Sequence, residues 1–496
     1  MALEFFTAKN SSKSAKANGV ALHSAYNPQI EGERFAQSLQ ADFNPKFIVI
    51  LEGALGYCVP FIKKRFPNAK VGTIRFVKDF SQSDKEWDFA IPLSDKGLFD
   101  FFGEEALFQT LFFDWKPAAA AWPEQSAKAW SQIKEAALKA KTVLATREHF
   151  GKRWLKNKFS FFNKIQKAAA IKEINRPVLV CASGPSLQTC LESIKKVRDK
   201  IFVCALSSAT SVLASANIKP DMTLSCDGGW WAKKHLDPLR TNFEDVPLAL
   251  EAESACPSVL LKKKQIIPLC YDDDFISKKI FEALGVKSLA ARRNGTVSGS
   301  ALELFLSLTK KEIFFAGLDL APSKEKSHAL PNVLETEADA ADFRLRTKAT
   351  RQAAASLFSE SLKIYQDWFA AYDLKGRKVF RIMGTEKFSN TLGMIQDIEA
   401  KDFESRVLKE SEPNCAQEKF FEPQEIANGM NQTKRQETVK NIFVEWTKSD
   451  NFCEELFPAD SIMLRRAALD QDKLDRKKII ERKKGELIEK LFGGQK

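Results

Sequence analysis

Short apolar runs alternate with stretches of helical character between residues 177 and 319, and no other feature of the sequence constrains the fold as strongly. Short runs rich in β-branched residues are typical of buried strands in a parallel sheet. Strands that alternate with helices imply a parallel sheet with helices on both faces. The sequence therefore predicts a central α/β domain over residues 166–395. Its clearest strands are predicted at 177–182, 201–206, 222–227 and 313–319.

A shorter version of the same pattern comes before the central segment. The apolar runs 47–51 and 70–76 flank a glycine turn and an amphipathic stretch, as in a βαβ unit. Residues 1–165 are therefore predicted to form a small Rossmann-like domain with a helical connection. After residue 395 the β-branched runs thin out and charged helical patterns dominate, which predicts an α-helical C-terminal region over 396–496, with its last helix over 461–491. A chain of 496 residues is longer than one hydrophobic core usually organises.

Charge and cysteine content narrow the class of protein. The formal net charge of +12 suits an anionic ligand, and no nucleic-acid-binding motif accompanies it, so no nucleic acid is expected as a partner. The nine cysteines have no CxxC spacing, which argues for a reducing compartment and against a disulfide scaffold or a zinc site. We find neither a signal peptide nor an apolar stretch of bilayer length. The expected location is the cytoplasm, without stable membrane insertion.

The strongest local signal is the segment SGPSL at 183–187, which follows a predicted strand and opens a predicted helix. Small residues allow backbone N–H groups to approach a phosphate, and the positive end of the following helix favours an anion there. Ser186 is expected to cap the helix and to offer its hydroxyl group to a ligand. The alternative is an ordinary helix cap at a strand–helix turn without a ligand.

Polar residues also follow other predicted strands of the same sheet. Ser207, Asp227 and Asp319 each lie at or just after a strand end, like Ser183. Ligands of open parallel sheets bind outside the carboxyl ends of the strands, so the four residues are expected to share one edge. The alternatives are that Ser207 only caps a helix and that Asp319 only orders its loop.

The order of five motifs resembles that of a known domain. The motifs are ASGPSL (182–187), IKPD (218–221), SCDGG (225–229), TVSGSALELFLSLTKKEIFFAGLDLA (296–321) and SHA (327–329). They resemble the MptE-like domain at the centre of the motility-associated factor (Maf) flagellin glycosyltransferases. LHSAYNPQIEGERFAQSL (22–39) and VILEGALGY (49–57) are similar to the N-terminal domain of that family. The stretch 297–321 also resembles bacterial CMP-sialic-acid sialyltransferases.

The resemblance implies a glycosyltransferase that moves a nonulosonic acid, such as pseudaminic or legionaminic acid, from a CMP-activated donor to Ser or Thr of flagellin. It implies no cofactor or metal beyond the CMP-sugar. The partner would be flagellin, alone or with its chaperone, and the activity would serve flagellar assembly and motility. The donor-binding residues implied by the resemblance, or placed with them at the strand ends, are Ser183, Gly184, Pro185, Ser186, Ser207, Asp227, Thr296, Ser298 and Gly299.

Transfer to a hydroxyl group needs a general base, for which histidine is suited near neutral pH. Of the four histidines, His149 and His235 are predicted to be surface residues because their surroundings are charged and helical, and His23 belongs to the N-terminal motif. His328 follows the strand that ends at Asp319, so it is the candidate base, with Asp319 as a second catalytic candidate. A substrate-binding or loop-ordering role is the alternative for His328.

Two other functions fit the same residues. One is a 6-hydroxymethylpterin pyrophosphokinase that uses ATP and Mg²⁺ held by Asp227 or Asp319, because the MptE-like domain also has that role. The other is a non-catalytic, nucleotide-binding flagellar assembly factor. The tryptophan pair at 230–231 is either a stacking platform for a sugar or base, or packing beneath the loop after Asp227.

Overall fold

The computed structural model describes residues 3–94, 97–321, 327–351, 360–384, 390–410, 419–427, 429–467 and 470–492. The chain divides into two compact units. The first contains Met1–Lys152 and Thr447–Lys496, and the second contains Arg153–Trp446. The division into three domains predicted from the sequence, at 1–165, 166–395 and 396–496, stays a prediction.

The N-terminal part of the first unit has two small sheets. The antiparallel sheet contains β1 (Leu3–Thr7), β2 (Lys13–Ala17) and β3 (Val20–Ala21). The second sheet is parallel, in the order β6-β5-β4-β7, with β4 (Phe47–Leu51), β5 (Lys70–Arg75), β6 (Phe89–Pro92) and β7 (Thr110–Asp114). The helices are α1 (Pro28–Ser38), α2 (Val59–Arg65), α3 (Leu98–Leu107), α4 (Lys116–Ala121) and α5 (Pro123–Lys164), the last of which continues into the second unit.

The second unit is built on one large sheet. Its strands are β8 (Lys167–Ile171), β9 (Val178–Cys181), β10 (Phe202–Leu206), β11 (Met222–Ser225), β12 (Leu248–Glu251), β13 (Gln265–Tyr271), β14 (Leu289–Ala291), β15 (Ile313–Ala316), β16 (Val379–Ile382), β17 (Gln396–Ile398) and β18 (Phe421–Gln424). The order is β17-β16-β15-β9-β10-β11-β12-β13-β8-β18, and β14 also pairs with β13. Each pairing is parallel except that of β18 with β8.

Helices of the second unit connect these strands. They are α6 (Leu187–Val197), α7 (Thr210–Ser215), α8 (Ala232–His235), α9 (Ser258–Lys263), α10 (Phe275–Ala283), α11 (Val297–Leu308), α12 (Val333–Ala340), α13 (Glu360–Ala371), α14 (Ala400–Glu410) and α15 (Gln432–Trp446). The chain then returns to the first unit as α16 (Asp450–Leu456), α17 (Pro458–Arg466) and α18 (Asp470–Phe492). The single helix predicted over 461–491 is therefore wrong: Ala467 leaves the helical conformation (φ −59°, ψ 121°), and a new helix begins at Asp470.

The predicted fold class is confirmed. Parallel sheets occur in both units, and the C-terminal segment from Asp450 onward that the structure describes is helical. The region predicted to be helical over 396–496 also contains β17 and β18, which pair with strands of the large sheet, so its predicted start is too early. Each residue of strands β9 to β12 is buried, as expected for a parallel sheet covered on both faces. No helix in the described stretches has the length and apolar character that a bilayer crossing requires.

The strand order creates a switch point beside β9. From β9 the chain adds β10, β11, β12 and β13 on one side, whereas β15, β16 and β17 extend the sheet on the other side. In open parallel sheets of this kind, the connections diverge at the switch point and leave a crevice outside the carboxyl ends of the strands. This rule places the expected crevice between the ends of β9 and β15.

Candidate active site

The turn after β9 and the loop after β15 are joined by one carboxylate. Ser186 donates its backbone N–H to Asp319 Oδ2 at 2.9 Å and its hydroxyl group to Asp319 Oδ1. Both side chains are buried. The structure thus brings Ser186 and Asp319 together at the switch point, although 133 residues separate them in the sequence.

Most N–H groups of this turn already have acceptors within the chain. Gly184 N–H donates to the Gly317 carbonyl oxygen at 2.9 Å, and the amides of Leu187 and Gln188 donate to turn carbonyls. Phosphate binding by the turn stays a prediction. The Ser186 side chain does not cap α6, so the predicted helix cap is wrong. Asp319 supplies the negative charge that stabilises the start of α6.

Close approach of the two loops requires glycine on each side. A Cβ atom at Gly184 would lie 2.5 Å from the Gly317 oxygen and 2.6 Å from Asp319 Cγ. Gly317 has a φ of +75°, and a Cβ atom there would lie 2.3 Å from the Ala182 oxygen. Larger residues at these positions would push the loops apart, because the nearest contact atom in each case is a backbone oxygen.

A buried arginine fixes the loop that carries Asp319. Arg381 on β16 is fully buried, forms an ion pair with Asp397 at 2.7 Å and donates to Asn390 Oδ1 at 3.0 Å. Asn390 Nδ2 in turn donates to the backbone oxygens of Asp319 (3.1 Å) and Leu320 (3.3 Å). Asp319 is thus held both by its side chain and by its backbone.

His328 lies against the same turn and has a carboxylate partner. The N–H of Ala329 donates to the Ser183 carbonyl oxygen at 2.8 Å, which places the His328 loop on the turn. His328 Nδ1 lies 3.1 Å from Glu335 Oε1, and the same oxygen accepts the Ser327 N–H. Because a carboxylate only accepts, Nδ1 carries the proton and Nε2 is left as a proton acceptor. Glu335 is buried, whereas the His328 side chain is 31% exposed.

The other histidines differ in their surroundings. His149 is exposed, as predicted. His235 is buried, so its prediction as a surface residue is wrong; burial lowers its pKa, the charge of His328 lowers it further, and Asp227 opposes both effects. His235 therefore lies within electrostatic range of both residues. His23 is buried in the first unit, where its Nε2 accepts the Leu55 N–H at 3.0 Å, which is a structural role.

The remaining predicted site residues follow other strands or open a helix at this edge. Ser207 is buried in a short 3₁₀ turn after β10, and Asp227 is exposed after β11, where it accepts the Gly229 N–H at 2.7 Å. Thr296 precedes α11, and Ser298 and Gly299 are buried in its first turn. A Cβ atom at Gly299 would lie 3.0 Å from the side chain of Trp368 on α13. Gln366 on the same helix donates a hydrogen bond to the backbone oxygen of Leu320. The α13 helix thus connects the start of α11 to the Asp319 loop.

The sequence interpretation missed a buried ionic cluster at the ends of β12, β13 and β14. Lys158 on α5 lies 2.7 Å from Asp274 and 3.2 Å from Glu253. Arg293 makes a bidentate contact with Glu253, at 2.6 and 2.9 Å. Glu251 is fully buried beside them, and its Oε2 accepts the Glu253 N–H at 2.7 Å. The sequence does contain a signal for this cluster, because Lys158 follows Leu155 at helical spacing on the otherwise apolar face of α5.

Glu251 and Glu253 have pKa values shifted in opposite directions. Burial, and then the negative charge of Glu253, raise the pKa of Glu251 well above its ordinary value of 4.5. Burial alone would also raise the pKa of Glu253, but Lys158 and Arg293 lower it below that value. Glu251 is therefore the proton-carrying member of the pair, and Glu253 is the charged one.

We predict opposite pH dependences for two isosteric variants. The raised pKa of Glu251 stabilises the fold fully below pH 4.5, and this contribution is lost as the pH rises through the folded-state pKa. Glu251→Gln should therefore gain stability relative to wild type as the pH is raised. Glu253→Gln should lose stability above pH 4.5, because the lowered pKa of Glu253 stabilises the fold there. Urea unfolding at pH values between about 3 and 8 measures both differences, because the folded-state pKa of Glu253 lies below 4.5 and that of Glu251 lies above it; parallel curves for the two variants would contradict this assignment.

The chain is similar to one protein family and to two proteins of known sequence. Residues 152–325 match the family described as 6-hydroxymethylpterin diphosphokinase MptE-like. An uncharacterized protein of Treponema pallidum (strain Nichols) is 30% identical over 321 residues, which are 62% of this chain and 67% of that protein. A second uncharacterized protein of the same organism is 26% identical over 196 residues, 36% of this chain and 33% of that protein.

A solved structure has the same fold. It is described as the structure of a Maf glycosyltransferase from Magnetospirillum magneticum AMB-1, and it superposes with a TM-score of 0.56 at 12% sequence identity. The match covers 98% of this chain and 90% of that one. The turn at 183–187 and Asp319 both lie within the MptE-like match, and His328 follows three residues after its end.

Proposed function

We propose that the protein is a glycosyltransferase. The chain belongs to one family with the T. pallidum relative that is 30% identical, and it combines an MptE-like domain with the fold of a Maf glycosyltransferase. The donor is a CMP-activated nonulosonic acid of the pseudaminic or legionaminic kind, and the acceptor is Ser or Thr of flagellin. The relation to CMP-sialic-acid sialyltransferases, on which the choice of donor depends, stays a prediction.

One observation carries this proposal: the His328–Glu335 pair lies on the turn that Asp319 holds at the switch point. The three parts come from different regions of the chain and meet through two contacts, Ser186 with Asp319 and Ala329 with Ser183. A base with a fixed tautomer next to a ligand crevice is the arrangement that transfer to a hydroxyl group requires.

In the proposed reaction, the acceptor hydroxyl group gives its proton to His328 Nε2 while its oxygen bonds to the anomeric carbon of the donor. The bond from that carbon to CMP breaks, and CMP leaves with the electron pair. Glu335 stabilises the imidazolium that forms by accepting from Nδ1. Asp319 acts as a positioning residue, because both of its carboxylate oxygens bind Ser186.

The donor is proposed to lie along the crevice, with no further cofactor. Because the amides of residues 184 and 186–188 are engaged within the chain, the turn contributes to donor binding through the half-buried Ser183 and Pro185. The other proposed donor contacts are Ser207, Asp227, Thr296, Ser298 and Gly299.

Co-expression of the protein with flagellin and a CMP-nonulosonic-acid pathway tests the proposal. Intact-mass spectrometry of flagellin should show added nonulosonic-acid masses that disappear when the protein is omitted. Unmodified flagellin alongside CMP binding would favour a non-catalytic assembly factor. Transfer of diphosphate from ATP to a hydroxymethylpterin would favour the pyrophosphokinase alternative.

A further inference from the structure

A cavity of about 490 Å³ lies in the second unit, beside the loop that follows Asp227. One wall is helix α5, and the other consists of the loops after β11 and β12. None of the proposed donor residues, nor His328 or Asp319, lines it. Its four cationic side chains are Arg153, Lys156, Lys164 and Lys233.

The lining of this cavity carries four cationic side chains, and no carboxylate is among its lining residues. The Glu253 carboxylate, one residue before the lining segment that starts at Ser254, is occupied by Lys158 and Arg293. In the part of the chain that the structure describes, Lys156 and Lys233 form no ion pair. A concave surface with cations of one sign attracts anions more strongly than a flat surface does.

Hydrogen bonds fix the shape of the cavity. Asn157 Nδ2 donates to the backbone oxygens of Gly228 (3.3 Å) and Glu253 (2.8 Å), and so ties both loops to α5. Lys164 Nζ donates to Ser258 Oγ at 2.9 Å across the cavity wall. The cations on α5 lie on one face, because Arg153, Lys156 and Lys164 are spaced by three and eight residues. The charges are therefore presented by a fixed wall.

An aromatic ring completes the cavity. Trp230 is among the lining residues and is 53% exposed, an unusual state for so large an apolar side chain. Trp231 packs edge-on against it, with 4.8 Å between the ring centroids, and so holds its orientation. An exposed indole face is a surface on which a sugar or base ring packs. A volume of 490 Å³ lies in the usual range for small-molecule sites.

We propose that this cavity binds a small phosphate ester, with the phosphate on the lysine side chains and the sugar or base ring on Trp230. The inference goes beyond the proposed function, because it concerns a site separate from the donor crevice. It requires neither CMP binding nor transfer, so the two proposals stand or fall independently.

Titration calorimetry at low ionic strength tests the site with glucose 6-phosphate, inorganic phosphate and uridine monophosphate, and with glucose as the uncharged control. Wild type should bind the phosphate compounds saturably and glucose not at all. The double variant Lys156→Ala/Lys233→Ala should weaken this binding by about tenfold or more, since each lost charge-assisted hydrogen bond removes enough free energy for such a change. Lys279→Ala, an exposed lysine outside the cavity, is the matched control.

Further measurements identify the ligand and test whether the site is separate from the donor site. Trp230→Leu should weaken binding of the sugar or nucleoside phosphate but not of inorganic phosphate. Ser183→Ala, which alters the proposed donor site and not the lining of the cavity, should leave binding of glucose 6-phosphate unchanged. Absence of saturable binding by wild type, or unchanged binding by the double variant, would overturn the proposal. Weaker binding of glucose 6-phosphate by Ser183→Ala would merge the cavity with the donor site and overturn its independence.

Discussion

Lys158→Met is expected to lower the free energy of unfolding by about 3–5 kcal/mol, because it removes one partner from a buried ionic cluster. Lys158 is 2% exposed and lies within ion-pair distance of both Asp274 and Glu253. After the substitution, Arg293 still neutralises Glu253, but Asp274 stays buried without its cation. Methionine fills a similar volume, so the effect measures charge and not a cavity.

The same helix supplies the control. Lys156→Met changes the same functional group two residues earlier, where the side chain is exposed. Its stability should stay within about 0.5 kcal/mol of wild type. The midpoint and slope of urea unfolding, followed by circular dichroism, measure both variants. Equal stability of the two variants would mean that the cluster contributes nothing to the fold.

His328→Ala is expected to lower the rate of sugar transfer by about 10²- to 10⁴-fold, the range that a positioned general base contributes. Binding of CMP should be unchanged, because the imidazole is proposed to act on the acceptor proton. The rate is measured from the increase of glycosylated flagellin mass with time.

Two further variants separate a catalytic from a structural role of His328. Glu335→Gln should give a smaller loss of rate, since it keeps the shape of the partner but not the charge that stabilises the imidazolium. His149→Ala, an exposed histidine in the first unit, should leave the rate unchanged. A full rate in His328→Ala would refute the assignment of the base.

The sheet could be predicted from the sequence because its strands are short and fully buried. The runs at 178–181, 202–206 and 313–316 are apolar over their whole length, so they can be identified as strands without knowing which strands they pair with. The order of the strands is a different matter, because it depends on packing between segments far apart in the chain. One of the two neighbours of β9 is β15, more than a hundred residues later, and the contact between Ser186 and Asp319 follows from that pairing.

The same limit explains the errors at the site. From the sequence, Ser186 has the features of a helix cap, but the nearest strong acceptor is Asp319, which only the sheet brings close. His235 is in a basic segment that predicts exposure, yet its helix has only four residues and packs against the 3₁₀ turn at Ser207. Glu335 is seven residues after His328, and nothing in the sequence around the two residues predicts that their side chains are in contact.

The central claim, that the crevice at the switch point binds a CMP-activated donor, is tested most directly by calorimetry with CMP and with ATP and Mg²⁺. We predict saturable binding of CMP to wild type and weaker binding to Ser183→Ala, which removes a half-buried hydroxyl group while its backbone contact to Ala329 is retained. ATP with Mg²⁺ should show no tight binding. Tight binding of ATP with Mg²⁺ and none of CMP would contradict the glycosyltransferase proposal.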